Sequence, residues 1–401
     1  MKTAGPLTWK FRGSSSSVPD AAGRRILVSA AAFYLLRIHR AGLFRALQDD
    51  GFTILAVAPE GRGSEELREM GVDTETIRMK PTGTSPIADF FLLLQFIAIF
   101  KRTKPAGFLG FTVKPNIYGA VAARMSGVPS LNNISGLGRV FISRTLLTWL
   151  VERLYRWGLK SACVVFFENR DDAELFLARK IVRAEQVVAL PGAGLDLKKF
   201  APVSTPHAAR GAFTFLLAGR LLWHKGVREF VEAARAIRTE HPETRFRILG
   251  FIEPPARDSV PESELRKWAD EGLIDYAGGT TDVRPEIAAA TCVVLPTFYR
   301  EGVPRILMEA AAMAKPVITT DMPGCRDVVD HERTGFICTP RSADALAEAM
   351  RRMLSLESER IDQMGRDARA KVEREFDEQV VHRAYRDALS RCGVFAPGEP
   401  K

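Results

Sequence analysis

Short apolar runs alternate with longer segments of helical period almost throughout the chain. In the first half RILVSA (25–30), FTILAVAP (52–59), GFLGFT (107–112), ACVVFF (162–167) and QVVAL (186–190) are continuous apolar stretches of strand length. FTFLLAG, RFRILG, CVVLPTF and PVITTD repeat the pattern in the second half. Between them, HRAGLFRALQDDG and NIYGAVAARMSG end in glycine, as helices often do. In VREFVEAARAIRTEH the residues Val227, Phe230, Val231, Ala234 and Ile237 fall on one helical face. Strands without polar alternation are covered on both sides, which implies parallel sheets with crossover helices.

A chain of 401 residues is too long for one small core. The pattern therefore predicts an α/β protein of two doubly wound domains. The break falls near PVSTPHAARG (202–211), which follows the polar turn GAGLDLKKF. The predicted division is a disordered tail over 1–24, a first domain over 25–200 and a second over 212–375. A last helix within 376–395 has no strand after it and is expected to pack back on the first domain.

Composition and charge change this picture in three places. Residues 1–200 hold 28 Lys and Arg against 17 Asp and Glu, a net of +11, whereas 201–401 hold 29 against 31, a net of −2. The first half is thus expected to face something anionic, nucleic acid or a membrane leaflet. The five cysteines are odd in number and widely spaced with no CxxC, which predicts reduced thiols and argues against a zinc site. The N-terminal residues lack the apolar core of a secretory signal. FFLLLQFIAIF (90–100), followed by KRTK, is shorter than the about 20 residues that span a bilayer. It is read as a buried crossover helix in preference to an interfacial one. TLLTWLVERLYRWGLK (145–160) is read likewise as an ordinary amphipathic helix, with a membrane interface as the alternative.

Candidate chemistry lies at the carboxyl ends of predicted strands, where parallel sheets bind ligands. After FLLAG come Arg220, a short loop, Lys225 and Gly226. Two cations there suit a diphosphate, or are ordinary loop residues, and spacing alone does not separate the two. After CVVLPTF the chain reads YREGVPRILMEAAA. Pro304 fits the first helical position, which would aim the amides of Gly302, Val303 and Arg305 at an anion. Glu301 and Glu309 make a poor acid/base pair: eight residues of helix rise about 12 Å, whereas glycosidase carboxyls sit about 5–9.5 Å apart. No nearby residue has metal-ligand spacing. Glu309 is either a surface partner of Arg305 or, given the close-packing Ala310–Ala312, a cleft residue.

Taken together, Gly219-Arg220-x4-Lys225-Gly226, EGVPRILMEAAAMAKPVITTD and RTGFIC resemble the GT4 glycosyltransferases of the GT-B fold, which implies two doubly wound Rossmann-like domains facing a cleft. The resemblance implies that Gly219, Arg220 and Lys225 hold a donor diphosphate and that Glu301 meets the donor sugar. It also implies that the amides of Gly302, Val303 and Arg305 meet the phosphates or the sugar, that Glu309 accepts from ribose, and that Val283 lies near the base. FTVKPNIYGAVAARMSGVPSLNNISGLGRVF resembles a narrower group that extends polyprenyl-diphosphate-linked sugars. It implies acceptor-side roles for Asn132, Asn133, Ser135 and Gly136.

The implied function is retaining, metal-independent transfer from a UDP-sugar to a lipid-linked acceptor, with no cofactor and no nucleic acid. The implied location is cytoplasmic, at the inner face of the membrane. An epimerase or hydrolase of the same architecture and a non-enzymatic binder of anionic polymers are the competing readings. The lone histidine of the first half, His39, is expected at a surface or helix end.

Overall fold

The computed structural model describes residues 24–394 except 81, 82, 84, 139, 140, 142–144, 204–211 and 253–257. Nearly all of the expected tail and most of the expected linker lie outside the described residues.

The first sheet holds β1 (Arg25–Ser29), β2 (Thr53–Ala58), β3 (Asp73–Thr76), β4 (Gly107–Phe111), β5 (Ser130–Ile134), β6 (Val164–Phe167) and β7 (Val187–Ala189), in the order β3-β2-β1-β4-β5-β6-β7. The second holds β8 (Thr214–Ala218), β9 (Arg245–Leu249), β10 (Asp275–Tyr276), β11 (Cys292–Leu295), β12 (Val317–Thr320) and β13 (Gly335–Cys338), in the order β10-β9-β8-β11-β12-β13. Every strand pairing is parallel, with registers such as Leu27 opposite Leu55 and Val293 opposite Leu216. The strand order reverses on either side of β1 and β8, so both domains are doubly wound with a crevice at the carboxyl edge. Central strands are buried on both faces, as their continuous apolar runs require.

Local chemistry sets the boundaries. CVVLPTF ends its strand at Leu295 because Pro296 has no N–H for the ladder. The helix Phe33–Asp49 stops where Gly51 turns to φ +83. Its first turns, Phe33 to Ile38, lie upstream of the predicted segment. PNIYG forms a π-turn (Pro115–Gly119) before the helix Ala120–Met125, and Asn116 uses that turn to donate to the Asn133 carbonyl at 2.7 Å.

The helix Glu378–Arg391 returns to the first domain. Val381, Tyr385 and Leu389 are buried there with Val28, Phe44 and Phe166, and Arg386 Nε donates to Asp50 Oδ2 at 2.6 Å. Its end is held by a disulfide between Cys163 beside β6 and Cys392, which overturns the expectation of reduced thiols for that pair. A separation of 229 residues hides their proximity in the sequence. Cys292, Cys325 and Cys338 are free and buried.

The run FFLLLQFIAIF also differs from its reading as a core helix. In the helix Pro86–Thr103, Leu92, Phe96, Ile99 and Phe100 enter the core while Ile87, Phe90, Phe91 and Leu94 stay exposed. A segment apolar all round has no period that tells an inner face from an outer one. No helix among the described residues is long and apolar enough to cross a membrane.

Candidate active site

Between β8 and the helix Val227–Glu240, Gly219 and Arg220 lie exposed, and the turn Trp223–Lys225 runs through Gly226 at φ +80. A Cβ on Gly226 would stand 2.1 Å from the Pro296 carbonyl oxygen, so only glycine lets this loop approach the one after β11. That approach joins the two candidate motifs. Lys225 Nζ lies 2.5 Å from Glu301 Oε2, and Thr297 Oγ lies 3.0 Å from Glu301 Oε1. Among the described residues the Arg220 side chain makes no hydrogen bond or ion pair. His224 bonds Asp258 through Nδ1 and stacks on Tyr299 at 4.3 Å. Burial holds its imidazole below the ordinary range against the pull of Asp258.

Glu309 lies in the helix Arg305–Ala312, and its Oε1 accepts from Arg305 Nε at 3.1 Å. It is only 9% exposed, so the pair is part of a buried wall and not a solvated surface pair. Glu301 precedes the helix, so helical rise covers only part of the path between the two carboxylates. Their different partners, Lys225 and Arg305, are what set them apart.

Two details of the turn differ from expectation. Pro304 stands one residue before the helix, as its N-cap, with ψ 123°, and its carbonyl accepts from the Leu307 N–H at 3.2 Å. The Gly302 amide does not point at open space: it donates to the Ser135 carbonyl at 3.1 Å. That bond crosses between the domains. It exists because Gly136, at φ +112, lets the first-domain loop lie flat on Glu301 and Gly302, where a Cβ would stand 2.5 Å from the Gly302 nitrogen. Val303 is buried against Gly192. Val283 caps the short helix Arg284–Ala289, beside Asp282, whose carboxyl the Arg284 hydrogen bond pushes down to about 2.

The first-domain candidates divide. Ser135 and Gly136 touch the donor-side loop, whereas Asn132 and Asn133 are buried beneath it. Asn132 Nδ2 donates to Asn116 Oδ1 at 3.0 Å and Asn133 Nδ2 to the Tyr385 hydroxyl at 3.0 Å. Arg40 Nη2 reaches Asn133 Oδ1 at 3.3 Å and Glu168 Oε1 at 2.5 Å. Burial raises the Glu168 carboxyl, with Arg40 opposing, and its Oε2 lies against Gly302.

Sequence reading missed this wall. Glu168, Asn169, Asp171 and Asp172 follow β6 directly as ENRDD, a polar cluster at a strand's carboxyl end that the crevice rule would have flagged. Asn169 Nδ2 donates to the Glu301 carbonyl at 3.3 Å, Arg300 pairs with Asp172 at 2.7 Å and Arg326 with Asp171 at 2.5 Å. His39 is likewise not a simple surface residue. It is partly covered and lies in the field of Arg305, Arg40 and Arg220, and burial first, then those cations, push its imidazole down to about 3.

Two facing parallel-sheet domains with a cationic crevice at the second domain's strand ends define a GT-B glycosyltransferase. The chain belongs to that class: a glycosyl transferase 4-like family model matches residues 25–169 and a glycosyl transferases group 1 model matches 212–356. Among curated proteins it is 24% identical over 365 residues to the Campylobacter jejuni N,N'-diacetylbacillosaminyl-diphospho-undecaprenol alpha-1,3-N-acetylgalactosaminyltransferase, covering 86% of this chain and 93% of that one. It is also 24% identical to an Escherichia coli UDP-Gal:alpha-D-GlcNAc-diphosphoundecaprenol alpha-1,3-galactosyltransferase, covering 77% and 82%. In fold it matches a Rickettsia africae glycosyltransferase with a TM-score of 0.74 at 16% identity, covering 94% of this chain and 100% of that one. It matches Anabaena HepE, solved with UDP-glucose, with a TM-score of 0.74 at 18% identity, covering 91% and 99%.

Proposed function

We propose that this glycosyltransferase moves a hexose or N-acetylhexosamine, with retention of configuration, from a UDP-sugar to a polyprenyl-diphosphate-linked saccharide at the inner face of the cytoplasmic membrane. The reading suits bacterial surface-glycan assembly. Two relatives that share most of the chain's length carry names describing transfer to undecaprenyl-diphosphate-linked sugars. The observation that carries the donor side is the Lys225–Glu301 pair with unpaired Arg220 beside it, at the carboxyl edge of the second sheet.

In this reading Arg220 and Lys225 stabilise the UDP diphosphate as the bond to the anomeric carbon breaks, because charge grows there in the transition state. Val303 and Arg305 contribute amides at the start of the helix 305–312, the Gly302 amide being committed to Ser135. Glu301 accepts from donor-sugar hydroxyls and Glu309 from the ribose. The acceptor hydroxyl oxygen bonds the anomeric carbon on the face the diphosphate leaves, and its proton passes to a donor phosphate oxygen. UDP departs, and no step needs a protein nucleophile or a metal.

A screen of UDP-sugars for thermal stabilisation tests the donor, since a ligand of the folded state raises its midpoint by mass action. Labelled transfer to lipid-linked acceptors tests the reaction. No stabilisation by any UDP-sugar sinks the donor reading, and wild-type transfer by Lys225→Ala or Glu309→Ala sinks the site.

A further inference from the structure

Exposed apolar residues are unevenly placed. Of fifteen exposed large hydrophobic residues among those described, thirteen precede residue 160, so one domain carries nearly all of them. Nine belong to two helices, Pro86–Thr103 and Leu146–Gly158. Ile87 is 73% exposed and Leu146 81%, with Phe90, Phe91, Trp149 and Trp157 also open. Contiguous exposed apolar surface of this kind marks an interaction site more often than an accident of packing.

The two helices are joined through the π-turn between them. Tyr118 donates to Asp89 Oδ2 on the first at 3.0 Å and packs edge-on against Trp157 of the second at 6.5 Å. Each follows a strand of the first sheet by a loop, β3 for the first and β5 for the second, from the carboxyl edge that also carries Lys114 after β4 and Ser135 after β5. The most exposed residues, Ile87 and Leu146, sit in the first turns. The apolar residues therefore belong to the domain whose strand-end loop, through Ser135 and Gly138, meets the donor-domain loop at Gly302 and Arg300.

Charge says what covers it. Between Asp89 and Glu152 the sequence holds seven Lys and Arg and no acidic residue; Lys114 pairs with Asp89 and Arg102 with Glu75, while Lys101 and Lys104 are exposed at the end of the first helix. Arg153, Arg156, Trp157 and Lys160 line one shallow pocket at the end of the second helix, and the Arg153 guanidinium lies 5.0 Å over the Trp149 ring. Phe, Leu and Trp beside exposed Arg and Lys is the composition of a segment lying in a headgroup region, the rings at the apolar boundary and the cations on anionic lipid. A protein partner would need carboxylates across this whole rim and would bury the aromatics in a shaped pocket.

We propose that the outer faces of the helices 86–103 and 146–158 form a docking surface for an anionic lipid bilayer, seating the crevice mouth at the height where a lipid-linked diphosphate emerges. This deepens the acceptor reading proposed above, but lipid binding and transfer are measured separately.

The test is flotation of the purified full chain with vesicles of phosphatidylcholine, with or without about a third phosphatidylglycerol, and no sugar donor present. The wild type is expected to float with anionic vesicles and to be released by salt. Phe90→Ser/Phe91→Ser and Leu146→Ser/Trp149→Ser should each lower partitioning at least tenfold. Arg153→Glu/Lys160→Glu should remove the anionic preference, each cation at such a surface being worth about fivefold. These positions are exposed, and UDP-dependent thermal stabilisation reports that each variant is folded. Failure of the wild type to float, equal flotation of the variants, or a dimer that the same substitutions dissolve would each overturn the proposal. Flotation without transfer to any lipid-linked acceptor would leave the docking surface standing and remove the acceptor reading.

Discussion

Lys225 Nζ and Glu301 Oε2 stand 2.5 Å apart, although 76 residues separate them in the chain. The contact joins the two strand-end loops of the donor domain, and each partner neutralises the other in a largely buried place. Lys225→Ala removes a cation aimed at the leaving diphosphate, a loss on the scale of about 10²–10³ in rate. It also leaves Glu301 with only Thr297, for a stability loss of about 1–3 kcal/mol. Initial rates and thermal unfolding of the same variant check both. Lys225→Arg should restore stability better than rate, because a guanidinium fork does not reproduce a compact ammonium.

Gly136→Ala separates donor binding from transfer. The new methyl would strike the Gly302 nitrogen, and alanine disfavours φ +112. The first-domain loop must then lift from Glu301. UDP affinity, set in the second domain, should stay within about threefold, while kcat/KM falls at least tenfold, about 1.4 kcal/mol. Equal loss of both would show that the contact serves the donor site alone.

Two ion pairs cross the same seam in different surroundings. Asp172 is fully buried and bonded to Arg300, whereas Arg326 and Asp171 are each 34% exposed. Arg300→Ala leaves a buried carboxyl, which burial already pushes above its usual range, with only Asn169 Nδ2 as side-chain partner, at a cost of about 3 kcal/mol. Arg326→Ala should cost about 1 kcal/mol or less. Chemical denaturation of the two variants checks the order, and equal costs would refute the argument from burial.

His39 gives a pH dependence with a defined sign. Folded, its imidazole stays neutral down to about 3, whereas in the unfolded chain it takes a proton below about pH 6.5. The unfolded state therefore binds more protons between those values, and this residue's contribution to stability is lost as pH falls from 6.5 towards 3. Glu168, with a raised carboxyl, works in the opposite sense, so His39→Asn is the control that isolates the imidazole. NMR titration should find His39 neutral at pH 5. An imidazolium at that pH would refute the prediction.

The architecture was legible in the sequence because a buried parallel strand cannot hide its composition: RILVSA, CVVLPTF and PVITTD all became strands. β3 was not legible, because DTET lies at a sheet edge where polar residues are tolerated. β5 was missed for another reason. SLNNI places two asparagines in a central strand, and only the bonds of Asn132 to Asn116 and Asn133 to Tyr385 make that burial acceptable. On the donor side the candidate residues sit in two unbroken motifs, so the sequence could single out Lys225 and Glu301 before the structure brought them into contact. The opposite wall draws on Arg40, Glu168 and Tyr385, which meet only through tertiary structure. No spacing rule reaches across 252 residues from Asn133 to Tyr385.

The returning helix has a consequence for the order of events in synthesis. The first sheet is complete by Ala189, but the slot over Phe44 and Phe166 is filled by Tyr385 and Leu389. That slot cannot close until synthesis has passed through the whole second domain to Tyr385 and Leu389. Until then the nascent first lobe carries an apolar furrow, and Asn133 waits for its phenol partner. The earliest lobe to emerge is therefore the last to be finished, and a chain that stops before Glu378 would leave it unsealed.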